Sequence, residues 1–352
     1  SVEEDSDVDF QSLQDNELGQ FKKEHPWQTA GTISPSWGYF AKDSEWRSTS
    51  NMLRAIINNT SLNGNYMLNI GPRANGDIQY EMEQRLEEMG TWLSVNGDAI
   101  YGSGAFDLPK DMHDWGQITY KETDEGIHKL FLHVFNWPLN KTITLSGIKD
   151  QPSRIYALAD KSKKSIPFEH QDLVAHLNLP DEQPDKLIPV IVVEYDQKPE
   201  VIADLAAMSV SGGYSLTPRN WISAAGDVEL VETARYETIP EHIKVSTSSG
   251  YKWKIYIEEA GAYNIDTSYS FQGNDNAGNI EITAAETLLS HKIMPTGKTV
   301  GEPDEDWVID NYRSSRVGDI DFSKAGLYEI EIKVNPEIGK PVKFQWLWVE
   351  KQ

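Results

Sequence analysis

The chain has no cysteine among its 352 residues, which excludes a disulfide framework and any thiolate metal site. It is also short of positive charge: 32 Lys and Arg against 55 Asp and Glu give a formal net charge of −23 at pH 7. A surface of that sign repels phosphate backbones and anionic lipid, so neither nucleic acid nor a membrane surface is an expected partner. No run approaches the roughly 18 apolar residues of a membrane span, and no basic-then-apolar leader is present at the N-terminus. The 8 histidines show no metal-ligand spacing on a helix. His133, inside "LFLHVF", reads as a hydrogen-bonded strand residue. No Gly-Lys-Ser/Thr follows Gly71-Pro72, so the turn there is not a phosphate loop. No cofactor and no metal are expected.

What is present is aromatic and acidic. The chain holds 11 Trp and 15 Tyr. Aromatic faces stack on the C–H faces of pyranose rings while carboxylates and amides bond the hydroxyls, so the composition suits a neutral sugar ligand. The acidic segment "EPDEDWVID" offers Asp304, Asp306 and Asp310 to a calcium ion, but it lacks the Gly and terminal Glu of an EF-hand loop and reads as a solvated loop. The chain opens on "SVEEDSDVDF", acidic and without an initiator Met, as though a longer polypeptide had been entered partway.

The length predicts two or three domains. Residues 1–103 have α/β character. Ser48, Thr49 or Ser50 can cap a helix bearing Leu53, Ile56 and Ile57 on one face. The short apolar run in "NGNYMLNIG" is a strand, ending in a polar turn at Asn69, Gly71 and Pro72. A second helix follows Asp77 or Ile78, with Met82, Leu86, Met89 and Leu93 at helical spacing, and Asn96-Gly97 ends it. Helix, strand, loop, helix is the close of an alternating series that needs more units to complete a sheet. Over 104–198 the period becomes two, in "HKLFLHVFNWP", "KTITLSG", "SRIYALAD", "DLVAHLNLP" and "KLIPVIVVEYD", the pattern of an antiparallel sandwich. After a linker at Lys198-Pro199-Glu200, residues 200–352 form a second all-β domain. In it "YKWKIYIEEAGAYNIDTSYSF" and "DIDFSKAGLYEIEIKV" each place Ala-Gly before an alternating strand, read as paired hairpins facing across a sandwich.

Three phrases in order, "HPWQTAGTISPSWGYF", "NGNYMLNIGPRANGDI" and "MGTWLSVNGDAIYGSG", span residues 25–104. Together they resemble the C-terminal part of the catalytic domain of glycoside hydrolase family 29, the α-L-fucosidases. The sandwich at 104–198 is similar to that family's C-terminal domain, and 200–352 looks like a carbohydrate-binding-module type sandwich. The fold class so implied is multidomain α/β plus all-β: the last elements of a (β/α)₈-like barrel, then two antiparallel β-sandwiches. The implied function is the C-terminal portion of a retaining exo-α-L-fucosidase, secreted or periplasmic, acting on a fucosylated glycan. A partner segment N-terminal to this chain would complete the barrel and bring the Asp nucleophile. The rival expectation is a non-catalytic carbohydrate-binding or structural fragment.

Site residues follow from the same resemblance. The family's acid lies on a loop shortly before the Trp that here is Trp27, which leaves Glu17 as first candidate and Asp15 as second. Gln28, directly after Trp27, cannot donate a proton as a carboxylic acid would. Trp37 of "SWGY" matches the aromatic that packs on the sugar, where fucose presents a C6 methyl. Trp27 and Tyr39 complete the substrate-binding set, as supporting shell. Trp46, Trp92 and Tyr101 read as packing.

Overall fold

The computed structural model describes residues 10–23, 25–226, 229–231, 241–297 and 310–352. The chain divides into two compact units, residues 1–201 and 202–352. Among the described residues it is mostly β-structure with two α-helices.

The first unit opens with strands β1 (Gln11–Ser12) and β2 (Trp27–Thr32), helix α1 (Thr49–Thr60), strand β3 (Gly64–Asn69) and helix α2 (Tyr80–Asn96). The strands are parallel, in the order β1-β2-β3. Ser48, extended at ψ 151°, caps α1 by accepting the Asn51 N–H at 3.2 Å. Asn59 on α1 donates to Thr29 Oγ1 at 2.6 Å and to the Asn65 carbonyl at 2.8 Å, tying the helix to β2 and β3 through one buried amide. Ile33, Leu53, Ile57, Leu68 and Ile70 share one apolar cluster, so a single face of the sheet is helix-covered.

The α2 stripe packs on the core as its spacing predicts, with Trp92 buried beside it. Met82, Met89 and Trp92 are the buried positions, and Leu86 and Leu93 are half-buried. Helix α2 packs on strands of the following sandwich, and Trp92 Nε1 donates to the Ile188 carbonyl at 2.9 Å. Tyr101, read as packing, is exposed.

That sandwich comprises β4 (Gly116–Glu122), β5 (His128–Val134), β6 (Thr142–Ser146), β7 (Arg154–Ala157), β8 (Phe168–Gln171), β9 (Val174–Asn178) and β10 (Val190–Tyr195). One sheet runs β4-β5-β10-β7 and the other β6-β9-β8, all antiparallel. Phe131, Tyr156, Val190 and Val192 lie in the same cluster as Met52 and Trp92, so residues 1–103 and 104–198 share a core. His133 is buried with Nε2 against Thr119 Oγ1 at 3.0 Å, while Nδ1 has no hydrogen-bond partner. The expectation of a satisfied strand histidine holds for one nitrogen only.

The second unit contains β11 (Gly213–Leu216), β12 (Ser223–Ala225), β13 (Glu229–Val231), β14 (His242–Val245), β15 (Ser249–Ile257), β16 (Gly261–Ser270), β17 (Gly278–Ala284), β18 (Thr287–Lys292), β19 (Arg313–Phe322), β20 (Gly326–Pro336) and β21 (Val342–Lys351). A sheet ordered β13-β14-β21-β16-β19, with β11 also on β21, faces a sheet ordered β12-β15-β20-β17-β18 across one core. The two Ala-Gly phrases are not hairpins. β15 pairs with β20 in one sheet and β16 with β19 in the other, so each Ala-Gly turn carries the chain between sheets. Gly261 and Gly326 turn at φ 142° and 145°, a region closed to side-chain-bearing residues. The inward residues on both sides of each turn, Ile257 with Tyr263 and Phe322 with Ile330, enter the same core. Of the three acidic positions considered for calcium, Asp304 and Asp306 lie outside the described residues. Asp310 is buried and ion-paired to Lys343 at 2.5 Å.

Candidate functional site

Parallel α/β sheets gather their functional loops at the carboxyl ends of their strands. In the first unit three loops meet that condition: residues 13–23 after β1, 33–48 after β2 and 70–79 after β3. Every sequence-derived site residue except Trp27 lies on the first two, and the third is the turn that ends "NYMLNIGP".

The third loop holds the second. Asn69 Nδ2 donates to the Trp37 carbonyl at 2.6 Å. A side chain at Gly71 would meet the Gly38 carbonyl carbon at 2.5 Å and the Tyr39 nitrogen at 2.7 Å, so the strand-end turn presses directly on the Trp37–Tyr39 backbone. That close approach is what the Asn-x-Gly-Pro sequence is for. The Arg73 guanidinium stands 5.9 Å from the Tyr39 ring centre. Trp37 is 39% exposed, and Tyr39 and Phe40 are exposed beside it, leaving a rim of aromatic surface at the carboxyl edge of the sheet.

The first loop is fixed by Asn16, which sequence reasoning passed over. Asn16 adopts φ 59°. Its N–H donates to the Ala30 carbonyl at 2.7 Å, and its Oδ1 accepts from Thr32 N at 3.2 Å and Arg47 Nη2 at 2.8 Å. Asp15 and Glu17 are thereby held beside the end of β2. Glu17 turns its carboxylate back on its own loop, where Oε2 accepts the Gln14 N–H at 3.0 Å. Both acids are exposed.

Trp27 is a buried support for the first loop. It is 1% exposed, its Nε1 donates to the Leu62 carbonyl at 3.1 Å, and its ring covers Gly19 and Gly64, where any side chain would collide with it. It begins β2 and packs on Gly19 of the first loop, the place of a supporting residue behind that loop.

Two residues join the site without a signal in the sequence. Arg47 stands beside the Tyr66 hydroxyl, whose pKa burial raises and the guanidinium partly restores. Gly31 leaves room for that hydroxyl, since a side chain there would sit 2.0 Å from it. Arg47 therefore connects the acid loop, through Asn16, with the floor of the sheet at Tyr66. The described residues contain no group of three or more His, Cys, Asp or Glu arranged to hold a metal. No described helix is long and apolar enough to cross a membrane.

The α-L-fucosidase family model matches residues 2–98. Over 142 residues the chain is 31% identical to the tissue α-L-fucosidase of Macaca fascicularis, covering 39% of this chain and 29% of that one. It is 28% identical over 176 residues to the α-L-fucosidase of Dictyostelium discoideum, covering 48% of this chain and 37% of that one. Each match thus spans well under half of the relative's length. The fold resembles the crystal structure of α-L-fucosidase from Vibrio sp. strain EJY3, with a TM-score of 0.61 at 20% identity over 97% of this chain and 57% of that one.

Proposed function

We propose, from a chain whose residues 2–98 are α-L-fucosidase family sequence, that it is the C-terminal portion of a retaining exo-α-L-fucosidase acting on terminal α-L-fucose of glycans. The observation that carries the reading is the convergence of three strand-end loops in that segment, with Trp37 exposed and its backbone held by Asn69. In this reading residues 1–103 are the closing elements of a (β/α)₈-like barrel, 104–198 its C-terminal sandwich, and 200–352 a carbohydrate-binding sandwich. A segment upstream of this chain supplies the remaining strands and the Asp nucleophile. The protein works outside the cytoplasm, secreted or periplasmic, where such glycans are displayed.

Retention needs two carboxyl groups roughly 5 Å apart, one attacking the anomeric carbon and one protonating the departing oxygen. Glu17 is the chain's candidate for the second role and Asp15 its alternate. The Gln14 N–H holds one Glu17 carboxylate oxygen on the loop that Asn16 anchors. Trp37 buries the C6 methyl of fucose, a preference worth about 1 to 3 kcal/mol over a hydroxymethyl sugar.

The test is hydrolysis of 4-nitrophenyl α-L-fucoside by the chain alone and co-expressed with an upstream segment of the same polypeptide. Turnover is expected only in the second case. Turnover by the chain alone would place the nucleophile here, and none in either case would remove the fucosidase reading. In the active complex, Glu17→Gln should slow substrates with poor leaving groups by about 10² to 10⁴ while sparing activated aryl fucosides. Should Asp15→Asn show that dependence instead, the two residues exchange roles.

A further inference from the structure

The outer face of the sheet containing β21 carries an arrangement that core packing does not explain. Phe344, Leu347 and Val349 point into the core, which leaves Trp346 and Trp348 outward on the same strand, both half-buried. Two large aromatics in succession on the outer face of a sheet leave part of their apolar surface accessible, where folding alone does not require them. Trp348 lies flat. A side chain at Gly213 on the adjacent strand β11 would sit 2.4 Å from its indole, so the ring rests on the backbone of that glycine. Its Nε1 donates to Glu350 Oε2 at 3.2 Å, which fixes the ring in its plane.

Cross-strand register extends the patch. Trp348 is directly opposite Asp266 on β16, and Asp266 is opposite Arg316 on β19. Directly opposed residues share a face. Arg316 donates to both Asp266 oxygens, at 2.7 and 3.2 Å, and to Asn264 Oδ1 at 2.5 Å, so the half-exposed guanidinium is held on β16, the strand next to the indoles. From β11 to β19 the row crosses four strands, about 14 Å at normal strand spacing, the length of a short oligosaccharide.

The charges select the ligand. Asp266 and Glu350 beside the indoles, on a chain of net charge −23, disfavour anions. Arg316 disfavours a small cation seated on the rings. A neutral ligand remains, with C–H faces for the indoles and hydroxyls for the fixed carboxylate and guanidinium. We propose that Trp346, Trp348, Asp266 and Arg316 form a binding platform for a neutral pyranose oligosaccharide, separate from the strand-end loops of the first unit. This deepens the carbohydrate-binding reading of residues 200–352 and rests on it, but it does not depend on fucosidase activity.

The experiment is titration of the 352-residue chain with 2′-fucosyllactose, cellopentaose and chitopentaose, read by tryptophan fluorescence and calorimetry, with choline as the cationic alternative. Saturable binding of at least one oligosaccharide is expected. Trp348→Ala should weaken it about tenfold or more, a loss of one well-packed aromatic contact. Asp266→Asn, which frees Arg316 without opening a cavity, should weaken it several-fold and keeps the test valid if Trp348→Ala misfolds. Leu327→Ala, on the opposite sheet, should change nothing. The proposal is overturned if none of the three oligosaccharides binds at about 10 mM. It is equally overturned if choline binds in their place, or if binding survives both Trp348→Ala and Asp266→Asn. Loss in Trp37→Ala with retention in Trp348→Ala would move the ligand to the first unit. Hydrolysis assays remain the separate readout for the fucosidase reading.

Discussion

The three-stranded parallel sheet of the first unit and the sandwich of the second solve the burial problem to different extents. In the sandwich, the inward face of each major strand meets the opposite sheet, and Trp253, Ile255, Ile265, Ile332 and Phe344 are fully buried. In the parallel sheet, Leu68 and Ile70 meet the helices, but the alternate residues of β3 do not. Met67 is 51% exposed and Asn65 is exposed beside it. Strand residues alternate faces, so these two mark the side opposite α1. A closed core is stable by itself. The far side of β3 is left in water at Asn65 and Met67, while Ala30 and Thr32 of β2 on that same side are buried, and the candidate loops stand at its edge.

The largest effect should come from the closed side. Trp253→Ala removes a fully buried indole and orphans the Thr217 carbonyl, which now accepts from its Nε1 at 2.8 Å. It should cost about 3 to 5 kcal/mol, read as loss of the second unit's denaturant transition. A much smaller cost would mean the sandwich is less tightly packed than its partner sheets imply.

Acid should act on the first unit. His113 and His133 are buried, and burial depresses both imidazoles to about 3 from an ordinary value of 6.5. The unfolded chain therefore binds protons that the folded one refuses. The stability they contribute is complete above the unfolded pKa of 6.5 and is lost as pH falls from there toward about 3. At pH 5 the loss is on the order of 2 kcal/mol for each histidine. Urea midpoints of the first unit between pH 7 and pH 5 measure it, and His133→Gln should flatten the dependence.

Much of this organisation was legible in the sequence, and the parts that were not have physical reasons. The strand at Gly64–Asn69 and both helices showed themselves through apolar period and turn residues, as did the alternating strands after residue 104. Alternation reports which residues face inward, not which sheet a strand joins, so the Ala-Gly turns at Gly261 and Gly326 passed for hairpins. The stripe on α2 was legible, but not that Trp92 beside it would bond a carbonyl of the sandwich almost a hundred residues on. At the candidate site, Trp37 and the Asn69 turn were readable from motif words. Asn16 and Arg47 were not, because a loop held by side-chain bonds to backbone carries no periodic signal.

A smaller effect tests the edge where those loops meet. Asn69→Ala deletes the bond to the Trp37 carbonyl in an exposed setting, so stability should fall by about 0.5 to 1.5 kcal/mol. Hydrogen exchange of amides 34–40 should quicken while amides of α1 stay protected. Equal loss in both would mean that Asn69 supports the whole sheet and not the loop alone.

The smallest effect bears most directly on the comparison. Met67→Asp places a charge at a position that is half in water, opposite the helix-covered face, so this chain should keep its stability within about 0.5 kcal/mol. In a closed barrel the same side chain would point into the packed interior, where an unpaired carboxylate is strongly disfavoured. Under the function proposed above, Met67→Asp should therefore leave the isolated chain's melting unchanged and abolish its assembly with the proposed upstream segment, measured by co-purification and recovered fucoside hydrolysis. Destabilisation of the isolated chain by more than about 2 kcal/mol would show that this face is already covered, and the sheet would be as closed as the sandwich. Assembly that tolerates Met67→Asp would mean that the upstream segment closes on some other surface, leaving the open face of β3 outside the barrel.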